Sequence, residues 1–280
     1  MSPRCVLMLF LLFAIPFVGL ILSENGAIAR ADPPAKPEDF VRVQKGTLPI
    51  IVSAPHGGRK VVPGVAERLG IGVKLFATVR DTNTDVLAER FVADLEKQLG
   101  GKVWVVIARF DRKYLDVNRP RDGAYESENA KPYYDAYHNP LIAACKAVKE
   151  THGAGLLLDI HGQGEFLDSI CRGTQNGKTV KLLKERYGWT AVTGRNSVLG
   201  QLERVGYKVL PKCSAAEEVK EESRFTGGHM VGTYGSHTAY AIDAIQLEFG
   251  SNYRERDIYP KTAHDLADAV ATFHDEYLKK

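Results

Sequence analysis

The stretch that decides the fold is Gly155-Leu156-Leu157-Leu158-Asp159-Ile160-His161-Gly162. Leu156 to Leu158 is a short apolar run of the kind that marks a strand buried on both faces. It ends in a carboxylate, an imidazole and a glycine. On a strand, Asp159 and His161 point to the same side, because side chains alternate with a period of two. The same design occurs twice more. Leu48 to Ala54 runs into Pro55-His56-Gly57-Gly58, and Ala244 to Phe249 carries Gln246 and Glu248 within an apolar run. Strand ends are where α/β proteins place their chemistry.

Between these runs the sequence reads as helices. Asn83 or Thr84 is the expected N-cap of a helix whose face is Leu87, Phe91, Leu95 and Leu99, with Gly100-Gly101 as a stop. Tyr133 to His152 is helical, ending at Gly153. Thr179 to Tyr187 and Ser197 to Val205 read as short helices, and Pro260 to Lys280 as a final amphipathic one. Val103 to Ile107 and Tyr207 to Leu210 complete the expected strands. Alternating strands and helices predict an α/β, three-layer fold: a mixed, mostly parallel central sheet with helices on both faces. There is no internal repeat, no phosphate loop and no GxGxxG, so nucleotide binding is not indicated.

The N-terminus addresses the compartment. Arg4 precedes an uncharged run from Val6 to Leu22, interrupted by Pro16, and Ala29-Arg30-Ala31 is a small-x-small cleavage site. Residues 1–31 are therefore expected to be a signal peptide cleaved after Ala31, giving a secreted or periplasmic protein. The alternative is an uncleaved N-terminal membrane anchor, for which the run falls short of the ~20 residues of a span. Residues 32–44 are expected to be a Pro-rich linker, and residues 45–280 a single domain large enough for a sizeable core. The whole chain has net charge +3. Such mild charge gives no argument for a nucleic-acid partner or for stable membrane insertion after signal cleavage. Three cysteines remain after Cys5. Cys171 and Cys213 lie in loop-like sequence and are the expected disulfide pair, whereas Cys145 sits in a helical pattern as a buried thiol. No CxxC spacing suggests a Cys-based metal site.

Each polar cluster has a plain reading beside a chemical one. His56 and His161 are metal ligands, or satisfied histidines in tight turns. Asp81 and Asp85, within Arg80-Asp81-Thr82-Asn83-Thr84-Asp85, are a third ligand and its supporting partner, or ordinary helix-capping residues. Between two metal-type histidines, Asp85 is the expected ligand and Asp81 its support. Arg112-Lys113-Tyr114-Leu115-Asp116-Val117-Asn118-Arg119-Pro120 offers Asn118-Arg119 as a fork for a carboxylate, or a surface salt bridge from Arg119 to Asp116 or Asp122. Glu248 is costly inside an apolar strand unless it is paired or faces a wet cleft. Burial raises its pKa and suits it to proton shuttling. Alternatively it lies on an edge strand in solvent. Two histidines and one carboxylate bind Zn²⁺ and leave a position open for water.

Taken in order, the five clusters resemble the N-formylglutamate amidohydrolase family, which is related to zinc carboxypeptidases and aspartoacylases. Pro55 to Gly58, Asp81 to Asp85, the ungapped Arg112/Asp116/Asn118/Arg119/Pro120 set, Asp159 with His161, and Gly227-Gly228, Tyr234-Gly235 and Ile242 to Glu248 carry the likeness, from Leu48 to Tyr253. The chain departs from the family pattern at Gly162, where a Ser is usual, and at Val86, where an aromatic residue is common. It departs again at His229-Met230-Val231-Gly232-Thr233.

The resemblance implies one Zn²⁺ per chain on His56, Asp85 and His161, with Asp81, Asp116 and Asp159 supporting the ligands. It implies Glu248 and Arg112 as catalytic groups, and Asn118 and Arg119 as the grip on a small-molecule or peptide substrate with a free carboxylate. The expected activity is hydrolysis, by metal-activated water, of the amide of an N-acyl amino acid or a small carboxylate-bearing peptide. An exported carboxypeptidase or cell-wall peptide amidase, and a non-catalytic binding domain on the same fold, are the rival readings.

Overall fold

The computed structural model describes residues 36–73, 76–213 and 218–279. The expected signal peptide and the first residues of the expected linker lie outside them. Seven strands form one sheet in the order β1-β3-β2-β4-β7-β5-β6. They are β1 (Val41–Gln44), β2 (Ile50–Ala54), β3 (Trp104–Ala108), β4 (Leu156–Gln163), β5 (Ser169–Gly173), β6 (Lys208–Leu210) and β7 (Asp243–Gly250). The centre, β3-β2-β4-β7, is parallel. β1 and β5 join it antiparallel, and β6 runs parallel to β5. This is the mixed, mostly parallel sheet expected from the sequence. Central strands buried on both faces need unbroken apolar runs, which is why β2, β4 and β7 were the legible ones.

Alternation divides the sheet between two cores. Ile50, Val52, Leu156, Leu158, Ile245 and Leu247 face the helices Thr84–Leu99 and Tyr259–Phe273. Ile51, Val106, Leu157 and Ala244 face the helix Lys131–His152 and Met230 and Val231. Ser53, Asp159, His161, Gln246 and Glu248 belong by parity to this second face. They stand at the carboxyl ends of β2, β4 and β7, where helix Lys131–His152 no longer covers the sheet with apolar side chains alone.

Three expectations need correction. The folded unit begins at Lys36, not at residue 45: Pro37–Phe40 is a 3₁₀ turn, and Val41–Gln44 is paired in the sheet as β1. Its short, alternating Val-Arg-Val-Gln pattern is that of an edge strand, hidden behind a proline-rich neighbour. Cys171 is not in a loop. It lies buried in β5, in register with Leu210 and Glu248. The expected Cys171–Cys213 disulfide is absent: both thiols are free, as is Cys145. Burial pushes Cys171 and Cys145 up to about 12, so both remain protonated thiols. The Gly-rich segment forms a short helix, His229–Tyr234, which the sequence pattern did not reveal.

Candidate metal centre

His56 follows β2 and His161 ends β4, and their rings meet edge to face with centroids 4.7 Å apart. The Nδ1 atoms of both rings lie 3.3 Å from one oxygen, Asp81 Oδ2. His56, Asp81 and His161 are the group among the described residues whose donor atoms converge closely enough to hold a metal ion. The opposite nitrogens are held from outside. His56 Nε2 donates to Asp116 Oδ1 at 2.7 Å, and His161 Nε2 donates to Asp159 Oδ2 at 2.9 Å. A carboxylate on Nε2 fixes the tautomer that leaves the Nδ1 lone pair free, the usual support of a metal-binding histidine. Asp159 is itself held by Ser53 Oγ of β2 at 2.6 Å.

Asp81 takes the third position instead of the expected Asp85. Its N–H donates to His56 C=O at 3.1 Å, which draws the turn against the first histidine. Asp85 is the second residue of the helix Thr84–Leu99 and sits under Gly57. A Cβ at Gly57 would lie 2.4 Å from Asp85 N, so glycine is required there for the helix end to approach. Asp85 is not part of the converging group; it feels the charges of Arg59 and Arg109, and its Oδ1 is buried without a hydrogen-bond partner. Burial raises its pKa. The acidic hexapeptide was legible as a ligand segment. Asn83, left-handed at φ 66°, is the N-cap that separates Asp81 in the turn from Asp85 in the helix.

The residues present fit a metal ion. His56 Nδ1 is fully buried and has no hydrogen-bond partner. An orphaned buried nitrogen is costly unless something is meant to occupy it. Two imidazole nitrogens and one carboxylate oxygen, with a cavity beside them, are the donor set of a catalytic zinc site with an open position. Burial would raise Asp81, but the imidazoles of His56 and His161 outweigh it and hold the carboxylate far below its usual range. Burial would lower His161, yet Asp159 and Asp81 outweigh it and raise its pKa well above the ordinary value. Both shifts arise from the same carboxylates and imidazoles packed together in one buried site.

Glu248 on β7 is in register with His161 on β4 and lines the same cavity. The residue is 8% exposed, and its carboxyl accepts from Gln246 Nε2 at 2.5 Å. Burial raises its pKa. The edge-strand alternative for Glu248 is excluded, since β7 lies between β4 and β5.

Arg112 donates to Asp116 Oδ2 at 2.6 Å and lies 3.5 Å from Asp81 Oδ1. It therefore braces the support of His56 and the third donor together, while its Nε is buried without a partner. Asn118 lines the cavity, but its side chain is engaged: Oδ1 accepts from Met230 N at 3.0 Å and Nδ2 lies 3.3 Å from His161 Nε2. Arg119 lines the cavity beside it and donates to Asn118 C=O at 2.8 Å. The cavity measures ≈ 760 Å³ and also takes in Phe225 to Gly228.

Two arginines of the site gave no sequence signal. Arg68 is buried and ties Arg112 C=O and Ala77 C=O together. Arg254 donates to the carbonyls of Phe249, Gln163 and Thr82, joining the ends of β7 and β4 to the Asp81 turn. Gly162 was the one available hint: a Cβ there would lie 2.5 Å from the Arg254 guanidinium carbon. The residue after the second histidine is glycine because an arginine occupies the space of its side chain.

Fold and site together define a class, an α/β protein with a mixed seven-stranded sheet and a buried His/Asp/His group beside a cavity. The N-formylglutamate amidohydrolase family profile matches residues 48–131, which hold the first three clusters. An N-formylglutamate deformylase from Pseudomonas aeruginosa is 24% identical over 277 residues, covering 86% of this chain and 96% of that protein. One from Pseudomonas putida is 25% identical over 252 residues, 80% of this chain and 88% of the relative. The crystal structure of an N-formylglutamate amidohydrolase from Ralstonia eutropha superposes with TM-score 0.56 at 17% identity, covering 85% of this chain and 98% of that one. The resemblance carried by the five motifs is thus borne out: the chain is similar to the N-formylglutamate amidohydrolase family in its first three motifs, and to the named deformylases over most of its length.

No helix among the described residues is long and apolar enough to cross a membrane.

Proposed function

We propose that the chain is an exported zinc-dependent amidohydrolase that cleaves the amide of an N-acyl amino acid. The observation that carries this reading is the convergence of His56 Nδ1, His161 Nδ1 and Asp81 Oδ2 beside a cavity that also holds Glu248, Arg112 and Arg119. The relatives named N-formylglutamate deformylase support the reaction class. Export rests on the signal-like residues 1–31 alone.

Each residue then has a task. His56, Asp81 and His161 hold the ion. Asp116 and Asp159 keep the two imidazoles in the ligating tautomer. When bound, zinc supplies an acidified water and polarises the scissile carbonyl. Glu248, buried and raised in pKa, accepts the proton of the attacking water and delivers it to the leaving nitrogen. The Arg112 cation faces the charge that develops on the acyl oxygen, a contribution of about 3 kcal/mol for one such donor. Asn118 accepts from Met230 N–H and so holds the helix His229–Tyr234 against the cavity it lines. Arg119 is left as the grip on the substrate carboxylate. Water adds across the C–N bond, and a carboxylic acid and an amine leave.

Substrate amidation tests this. The free acid of an N-acyl glutamate should be hydrolysed well and its α-carboxamide poorly. Arg119→Lys should lower kcat/KM for the free acid by roughly 1–3 kcal/mol and change the amide little, because both alterations delete one contact. Equal turnover of acid and amide would remove Arg119 from substrate binding and turn the reading toward an internal amide.

A further inference from the structure

A second cavity of ≈ 510 Å³ adjoins the first and shares Asp81, Arg112 and Gly162 with it. None of Asn118, Arg119 and Gly228 lines it. Instead it extends past Asp81 and Arg112 to Val79, Arg80, Asn83, Ser251 and Glu255. The metal-binding carboxylate therefore stands between two spaces, with the proposed carboxylate grip in one of them only. Gly162, bare of a side chain, lies in the wall common to both. The adjoining wall is firm, because Arg254 is tied to three backbone carbonyls from separate segments.

A one-carbon formyl group would leave this second space to water. Its volume is that of a ligand pocket. Its surface is largely apolar, with Arg80 and Glu255 bringing both signs of charge to it, which suits an aminoacyl or peptidyl group that offers an amide to those charges and a side chain to the apolar wall. We propose that the second cavity is an acyl-side subsite, and that the preferred substrate carries an aminoacyl or peptidyl group there, with its C-terminal residue on Arg119. The proposal rests on the amidohydrolase reading above and narrows its substrate class. Hydrolysis puts the hydroxyl of water on the peptide carbonyl and a proton on the nitrogen, so a shortened peptide and a free amino acid leave. Binding energy from the remote acyl part is then available to the reacting centre, as in other enzymes whose truncated substrates lose turnover.

The test compares kcat/KM for N-formyl-, N-acetyl-, glycyl- and N-acetylglycyl-glutamate with the zinc-loaded full protein, its Ser251→Trp variant and its Val79→Trp variant. Both substitutions narrow the second cavity without touching a residue assigned to catalysis. N-acetylglycyl-glutamate should exceed N-formylglutamate by at least about tenfold. Each variant should erase that gain and leave the formyl rate within about twofold of the parent. Formyl as the best substrate, or an equal loss on all four in both variants, would overturn the subsite. Hydrolysis of none of the four by the parent would overturn the amidohydrolase reading itself, and the subsite with it.

Discussion

Two buried ionic clusters among the described residues differ in whether their donor atoms converge beside open space. At β5, Arg172 Nε donates to Glu221 Oε1 at 3.0 Å, and Glu221 also accepts from Thr174 N and Asn176 N at 2.9 Å and from Thr174 Oγ1. Both side chains are sealed from solvent. The carboxylate is saturated, and its bonds stitch β5 to the segment around residue 221, although Arg172 Nη1 stays buried without a hydrogen-bond partner. At the ends of β2 and β4, three donor atoms converge on one point, His56 Nδ1 has no hydrogen-bond partner, and a cavity opens alongside. Burial of charge alone therefore does not mark a functional site. Convergence of unsatisfied donors beside accessible space does.

Removing one partner from each cluster should have opposite consequences. Glu221→Ala leaves a buried guanidinium and several N–H groups unpaired. It should cost about 3–5 kcal/mol of stability, read by denaturant unfolding, with metal content unchanged in the folded fraction. A loss below about 1 kcal/mol would mean that the β5 cluster is no more structural than a surface pair. Glu248→Gln should do the reverse. The fold and metal are kept while turnover falls at least ~100-fold, the lower range for lost general acid–base help. Near-parental turnover would place the proton shuttle elsewhere.

The same contrast explains what could be read from the sequence. The central strands and the histidines at their ends were legible because a strand buried on both faces admits few polar residues. Those it does admit, His161 and Glu248, stand out. β1 and β5 were not legible. One is a four-residue edge beside prolines, and the other, Ser-Ile-Cys-Arg-Gly, breaks its apolar pattern with the arginine that Glu221 satisfies. Asp81 and Asp85 could not be ranked by pattern, because what separates them is the left-handed N-cap at Asn83 and the contact of Gly57 with Asp85. Arg68 and Arg254 act through backbone carbonyls, and a partner that is backbone leaves no trace in sequence.

A smaller effect separates the site from the rest of the sheet. Asp243 opens β7 at the end away from the metal centre, and burial pushes its carboxyl up to about 6. The folded state thus keeps this proton longer than the unfolded chain. Its favourable contribution is full below the ordinary carboxylate pKa of 3.8 and is lost as pH rises through about 6. Asp243→Asn should flatten the stability profile between those values and leave it parallel to the parent above pH 7. The effect should be modest, since the amide keeps an acceptor for Leu183 N–H, which donates at 3.1 Å. An unchanged slope across that window would show that Asp243 ionises normally in the fold.

The most direct test of the central claim is metal content. Purified protein and its His56→Ala, Asp81→Ala and Asp85→Ala variants can be assayed for bound zinc by elemental analysis after exhaustive dialysis. The parent and Asp85→Ala should each retain about one zinc per chain, whereas His56→Ala and Asp81→Ala should retain almost none, as expected when one of three protein ligands is lost. Zinc kept by Asp81→Ala but lost by Asp85→Ala would contradict the centre described here.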